Sequence, residues 1–283
     1  MRVRAYAALY VSATVFAAVT LMVKLASAYY GALFISSVRF AIGAVLCVAA
    51  LRIRYGGVRP VAWGYLALRG GVGVCAMVLG YVAVGLTGPG RATVLINTYP
   101  LFVVAFGTLW FGERFRARDL ASIAFCIAGA ILVVRDHSGA PMLGDLLARA
   151  SAVFSGLAVN AVRKLGATDN PFTIYLAPCV FGLALFFVSP FPADLRAGVA
   201  GPLLLLGIGA ASFFAQALMA WGYKEVSAGS GSVVFYWETA LTIALGALIA
   251  GERMNLRFFA GLALILAGLR LNQTRIAFKR RKP

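Results

Sequence analysis

Ten apolar runs alternate along the chain with short polar or glycine- and proline-marked segments. They fall at 5–24, 31–51, 63–86, 92–111, 119–135, 143–164, 172–189, 202–223, 231–250 and 256–272. A helix needs about 20 apolar residues to cross the hydrocarbon core of a bilayer, so each run predicts one membrane span. The expected linkers carry turn chemistry: Tyr55-Gly56-Gly57, Thr87-Gly88-Pro89-Gly90, Ser138-Gly139-Ala140-Pro141, Pro190-Phe191-Pro192 and Ser227-Ala228-Gly229-Ser230. The stretch Arg135 to Pro141 is the natural boundary between halves.

The pattern repeats. Gly112 to Leu132 (GERFRARDLASIAFCIAGAIL) returns 139 residues later as Gly251 to Leu271 (GERMNLRFFAGLALILAGLRL). The copies agree at Gly112/Gly251, Glu113/Glu252, Arg114/Arg253, Gly129/Gly268 and Leu132/Leu271, and Ser12-Ala13 matches Ser151-Ala152 at the same offset. A tandem duplication takes precedence over any single-copy fold assignment. Five spans per copy is an odd number, so the second copy enters the membrane upside down. The predicted fold is therefore an all-α integral membrane protein of ten transmembrane helices in two inverted five-helix repeats. The repeats run over 1–137 and 138–275, followed by a basic cytoplasmic tail at 276–283. Inverted repeats related by an axis in the membrane plane are a mark of secondary transporters, whose substrate sites lie near the midplane between the copies.

Composition supports the membrane assignment: 62% of the residues are hydrophobic and 12% charged, against about half and about a quarter in soluble domains. The net charge of +17 raises the question of nucleic acid. Most of the basic residues sit in short segments between apolar runs, however, where orientation in the bilayer accounts for them. Placing both termini in the cytoplasm puts most Lys and Arg on the inner side, as expected for a bacterial-type inner membrane. The N-terminal run lacks an evident small-residue cleavage site and reads as a retained span. Cys47, Cys75, Cys126 and Cys179 all lie inside apolar runs, with no C-x-x-C pair, and read as small hydrophobes. The lone histidine, His137, falls in a linker, which leaves no basis for a histidine metal site. No cofactor is expected.

Two five-span repeats, each with a GER corner and a glycine-containing last helix, resemble the EamA-type drug/metabolite transporters. Arg39 in span 2 (ISSVRFAIGAVL) and Pro100 in span 4 (TYPLFVVAFGTLWFGE) extend the likeness, which covers roughly residues 5–272. The resemblance implies proton-linked or exchange transport, often export, of amino acids and other small metabolites. It also implies a cavity walled by spans 1–4 and 6–9, with spans 5 and 10 at the periphery. One departure is Thr239, which stands where the first copy has Pro100, so span 9 has no proline for a kink at that place.

Polar residues inside spans are the candidate chemistry. Span 4 reads Asn97-Thr98-Tyr99-Pro100; the proline removes a backbone bond to the Ile96 carbonyl and predicts a hinge. A freed carbonyl in the bilayer needs a protein or water partner, which favours a cavity on that side. The equivalent stretch of span 9 is Tyr236-Trp237-Glu238-Thr239. Glu238 lies about 10 Å inside the boundary at 1.5 Å per residue, and an acid at that depth is a functional candidate by default. It is expected either to exchange a proton as the coupling group or to meet a substrate ammonium beside Tyr236 and Trp237. A structural ion pair with Arg39 or Arg149 is the competing account.

Arg39 has two readings: a receptor for a substrate carboxylate, or a helix arginine bonding carbonyls or snorkelling outward. Asn160 in span 6 and Gln216 in span 8 are expected to line the cavity. Tyr81 and Tyr223 are candidates for an aromatic cavity wall, with packing or facing lipid the more common place for such side chains; Arg69, Arg149 and Arg270 are expected to snorkel, and Glu113 and Glu252 to serve the helix corners. Gly70-Gly71-Val72-Gly73 lacks the strand and Lys-Ser/Thr of a phosphate loop and reads as close helix packing.

The expected substrate is a small polar or zwitterionic metabolite, with an amino acid moving outward placed ahead of an organic cation moving inward. An intramembrane enzyme would need a convergent nucleophile, base or metal set that the sequence does not supply. A non-transporting assembly protein would need no continuous polar cavity. The remaining expected partners are protons, the lipid bilayer and at most a second copy of the chain in a homodimer.

Overall fold

The computed structural model describes residues 2–110, 112, 117–133, 142–189, 198–249 and 256–279. Among them every regular element is a helix, with no strand. The elements are α1 (Arg2–Ala26), α2 (Ala32–Tyr55), α3 (Trp63–Thr87), α4 (Pro89–Ile96), α5 (Tyr99–Leu109), α6 (Ala117–Val133), α7 (Met142–Leu165), α8 (Pro171–Leu183), α9 (Ala200–Glu225), α10 (Ala228–Val234), α11 (Tyr236–Ile249) and α12 (Leu256–Lys279). A 3-10 turn, Ala184–Phe187, continues α8. Among the described residues, six helical stretches are long and apolar enough to cross a membrane, and three more are apolar but shorter. The chain is a multi-pass membrane protein. Glu113, Arg114, Glu252, Arg253 and the Ser138–Pro141 and Pro190–Pro192 linkers lie outside the described residues, as do the side chains of Arg270 and of the C-terminal tail.

Local chemistry explains where several helices start and stop. Gly56 ends α2 in the left-handed conformation (φ 70°), its N–H donating to the Arg52 carbonyl. Asn170 caps α8, its side chain accepting from the Thr173 N–H at 2.9 Å with Pro171 in the first turn. Ser227 caps α10 by accepting from the Ser230 N–H at 3.4 Å. The segment Ala228 to Ser230, expected as a linker, is thus the first turn of a helix, and all seven residues of α10 are buried. The sequence signal misled because Ser and Gly open a helix here instead of ending one.

Helices from the front of the chain pack on helices from the back. The most extensive contacts pair α1 with α9, α3 with α7, α6 with α12 and α2 with α8, while α4 meets α11 and α5 meets α10. Polar groups tie these pairs together. Ser12 Oγ donates to the Ala215 carbonyl at 2.8 Å, and Ser151 Oγ donates to the Ala76 carbonyl at 2.6 Å. Where α6 crosses α12, a side chain on Gly129 would strike the Gly261 carbonyl, and one on Gly268 would strike Cys126 and the Ser122 carbonyl. Small residues let the two backbones approach, the usual means of membrane-helix association where no hydrophobic drive exists between helices. Outside the packed pairs, Asp169 is buried and accepts from the Val61 and Ala62 N–H groups at 3.0 and 3.2 Å, anchoring the segment that leads into α3. Arg91 grips Asp145 through two bonds of 2.8 and 2.7 Å, joining the starts of α4 and α7.

Candidate substrate cavity

The fourth and ninth apolar runs are each broken within the protein. Asn97 and Thr98 form a turn between α4 and α5, and Phe235 sits between α10 and α11. Pro100 falls in the first turn of α5, where its missing N–H costs little. Next to these breaks lies a cavity of about 200 Å³ whose polar lining includes Arg39, Arg69, Asn97, Tyr99, Gln216 and Glu238. Its apolar wall includes Phe16, Met77, Met219 and Phe235.

Arg39 on α2 is 2% exposed and Arg69 on α3 is 3% exposed, so neither snorkels. Arg39 Nη1 donates to the Tyr81 hydroxyl at 2.5 Å, and its guanidinium carbon lies 5.5 Å from that ring's centre, a cation–π arrangement. Its Nε and Nη2 are buried without a hydrogen-bond partner. Arg69 Nη2 donates to Gln216 Oε1 at 3.1 Å, while its Nε has no partner. Gly73, one turn along α3, leaves the room that the Arg69 guanidinium occupies; a β-carbon there would collide with Nη1. The close packing expected of the Gly70–Gly73 stretch is present, with Phe181 and Pro178 of α8 set against Gly70 and Gly73 respectively.

In the same cavity Glu238 projects from the first turn of α11, half-buried, with the Thr20 hydroxyl beside it and Arg39 acting on its charge. Neither Arg39 nor Arg149 forms an ion pair with it. Asn97 Nδ2 donates to Thr239 Oγ1, joining the two breaks directly. The Tyr99 hydroxyl reaches the Ser232 carbonyl at 3.3 Å.

Three residues expected at the cavity are elsewhere. Tyr236 is 1% exposed and packs into the cluster formed with α6 and α12. Trp237 donates from Nε1 to Thr14 Oγ1 at 3.1 Å, on an exposed face, and meets the edge of Tyr10. Successive helical residues turn by about 100°, so a helix that aims Glu238 at the cavity turns Tyr236 to its far side. Asn160 spends its amide on the Val103 and Gly156 carbonyls at 3.0 and 3.1 Å, fastening α7 to α5. Conversely, Arg69 and Thr20 line the cavity without having been expected there, and Tyr81 takes the wall position that was the less favoured of its two readings. Arg69 looked shallow because it stands six residues into its run; packing by α8 and α9 is what buries it. Among the described residues no group of three or more His, Cys, Asp or Glu side chains could hold a metal.

An all-helical, multi-pass protein with a polar cavity among its spans falls in the class of membrane transporters. The family described as "EamA-like transporter family" matches the chain twice, over residues 3–135 and 142–273, and the chain belongs to it. Among curated relatives, the pseudopaline exporter CntI of Pseudomonas aeruginosa (strain UCBPP-PA14) is 28% identical over 269 residues, covering 92% of this chain and 93% of that one. A probable amino-acid metabolite efflux pump of Escherichia coli (strain K12) is 25% identical over 202 residues, covering 65% and 67%. A solved crystal structure superimposes with a TM-score of 0.80 at 20% identity over the whole of both chains, which establishes likeness of fold.

Proposed function

We propose that the chain is a secondary active transporter that exports a small polar or zwitterionic metabolite, an amino acid or a related compound, across the bacterial inner membrane by alternating access. Ten spans in two inverted repeats, 1–137 and 138–275, with both termini cytoplasmic, form the moving parts. Paired hydrogen bonds support this arrangement: Ser12 and Ser151 are 139 residues apart, and so are the carbonyls they bond, Ala76 and Ala215. Cys126 Sγ lies 3.7 Å from the carbonyl of Ile265, again 139 residues away, as expected where a pseudo-two-fold axis passes between α6 and α12. The observation that carries the reading is the cavity itself, which joins buried cations, a carboxyl group and both helix breaks within one space. Glu238 is the coupling group, Arg39 a substrate contact, and the Pro100 region the hinge. Uptake of an organic cation has little support, because two buried guanidinium groups face the same space.

Reconstitution of the full chain in liposomes tests the reading. Internal substrate should drive uptake of the same labelled compound, and an imposed proton gradient should drive net movement. Absence of exchange for every amino acid and related metabolite tried would retire it.

A further inference from the structure

The cavity is charged unevenly. Among the described residues it has one carboxyl group, Glu238, and two guanidinium groups, Arg39 and Arg69. The guanidinium groups are close enough to act on each other, and the Tyr175 hydroxyl acts on both. Each already spends one N–H on a neutral acceptor, Tyr81 or Gln216, and each retains at least one buried N–H with no partner. Buried, unpaired cations in a membrane protein are costly and persist where something charged visits them. An ionised Glu238 offsets one positive charge, and a protonated Glu238 offsets none. In either state an anionic occupant balances the site best.

Building on the carrier reading above, we propose that Arg39 and Arg69 form an anion subsite and that the cargo is an amine bearing two carboxylates. One carboxylate meets the α2–α3 wall, where the planar N–H pairs suit it. The ammonium faces Glu238 across the cavity. Arg69 then sets specificity: it selects the second carboxylate, with Gln216 and the gap at Gly73 holding the guanidinium in place. The apolar remainder of the wall, Phe16, Met77 and Met219, receives the carbon skeleton.

Counterflow in proteoliposomes of the full chain tests this, with L-glutamate, L-aspartate and iminodiacetate as probes against L-alanine and choline. The dicarboxylic amines are expected to exchange at least about tenfold faster than L-alanine, the scale of one lost charge-assisted hydrogen bond. Arg69→Gln should lower exchange of the dicarboxylic amines more than that of L-alanine and so erase the preference, and Arg69→Lys should restore part of it. Gly73→Ala moves the guanidinium without removing it and should lower the glutamate-to-alanine ratio by a smaller factor. This variant also guards against loss of folding in Arg69→Gln. Equal exchange of L-alanine and glutamate, or a ratio unmoved by both Arg69→Gln and Gly73→Ala, would overturn the subsite and leave the carrier reading standing. Exchange of no probe, neutral zwitterions included, would remove the carrier reading and this inference together.

Discussion

The front and back halves of the chain build similar walls with different chemistry. Counting 139 residues onward, Arg39 corresponds to Pro178, Arg69 to Ile208 and Tyr99 to Glu238, while Gln216 corresponds to Met77. Both guanidinium groups thus come from the front half, and the carboxyl group comes from the back. The breaks differ as well. Pro100 has no N–H to offer the Ile96 carbonyl, whereas Thr239 at the corresponding place donates to the Phe235 carbonyl, at a long 3.4 Å. A duplicated scaffold has therefore kept its packing contacts while its polar side chains diverged. In the proposed mechanism the front half grips the anionic end of the cargo and the back half handles the proton.

The sharpest way to break that division of labour is Glu238→Gln. Exchange and proton-driven transport should fall by about 100-fold or more, the scale on which a positioned proton-transfer group acts, while the protein still reaches the membrane. Residual transport should lose its dependence on pH. Transport that keeps the wild-type pH profile would take Glu238 out of the mechanism.

Next in size are the paired glycines at the α6–α12 crossing. Gly129→Ala and Gly268→Ala each force a methyl group against the partner helix, and each should destabilise the protein by about 1–3 kcal/mol, read as a lowered thermal midpoint in detergent. Because Gly129 meets Gly261 and Gly268 meets Ser122, themselves 139 residues apart, the two losses should be alike. A large loss at one and none at the other would show that the crossing is not symmetric.

How much of this was legible in the sequence depends on what each residue answers to. The long apolar runs were readable because span length and side-chain type are set by the bilayer itself. Glu238, Asn97 and Tyr99 stood out as polar groups far from any run boundary, and all three line the cavity. Tyr236 and Trp237 are indistinguishable from them in the sequence because the break at Phe235 has no proline to mark where the helix restarts. Without that register, three adjacent residues look equally able to face inward. The place of Arg69 is not legible in the sequence, because distance from a run's end measures depth in the bilayer and says nothing of which neighbours cover a side chain. The interlocking of Ser12 with Ala215 and Ser151 with Ala76 needs three dimensions, since a hydroxyl in a span does not announce which carbonyl it will bond.

The contrast between the two breaks yields a smaller effect. Pro100→Ala supplies the missing N–H, so the front break should come to resemble the back one and stiffen. Turnover should drop roughly severalfold with substrate affinity little changed, the pattern of a hinge that gates the cycle. Thr239→Pro is the reciprocal change, but it also removes the hydroxyl that accepts from Asn97, so its larger loss should extend to stability. Wild-type turnover in Pro100→Ala would move the hinge elsewhere.

The smallest expected effect tests the symmetry most cleanly. Ser12→Ala and Ser151→Ala each delete one interhelical bond, to Ala215 and to Ala76, and nothing else of size. Bonds of this kind between membrane helices are worth about 0.6 kcal/mol on average, since the separated helices find other partners. The two serines bind separate helix pairs, α1 with α9 and α3 with α7, and share no contact, so their effects should add in the double variant. Equal single losses and an additive double would place both bonds at corresponding points of one pseudo-two-fold arrangement. If Ser151→Ala costs several times more than Ser12→Ala, the reason lies in the cavity, because Ser151 is part of its lining and Ser12 is not. In that case transport should fall along with stability for Ser151→Ala alone, and the asymmetry seen in the charged residues would extend to the neutral scaffold.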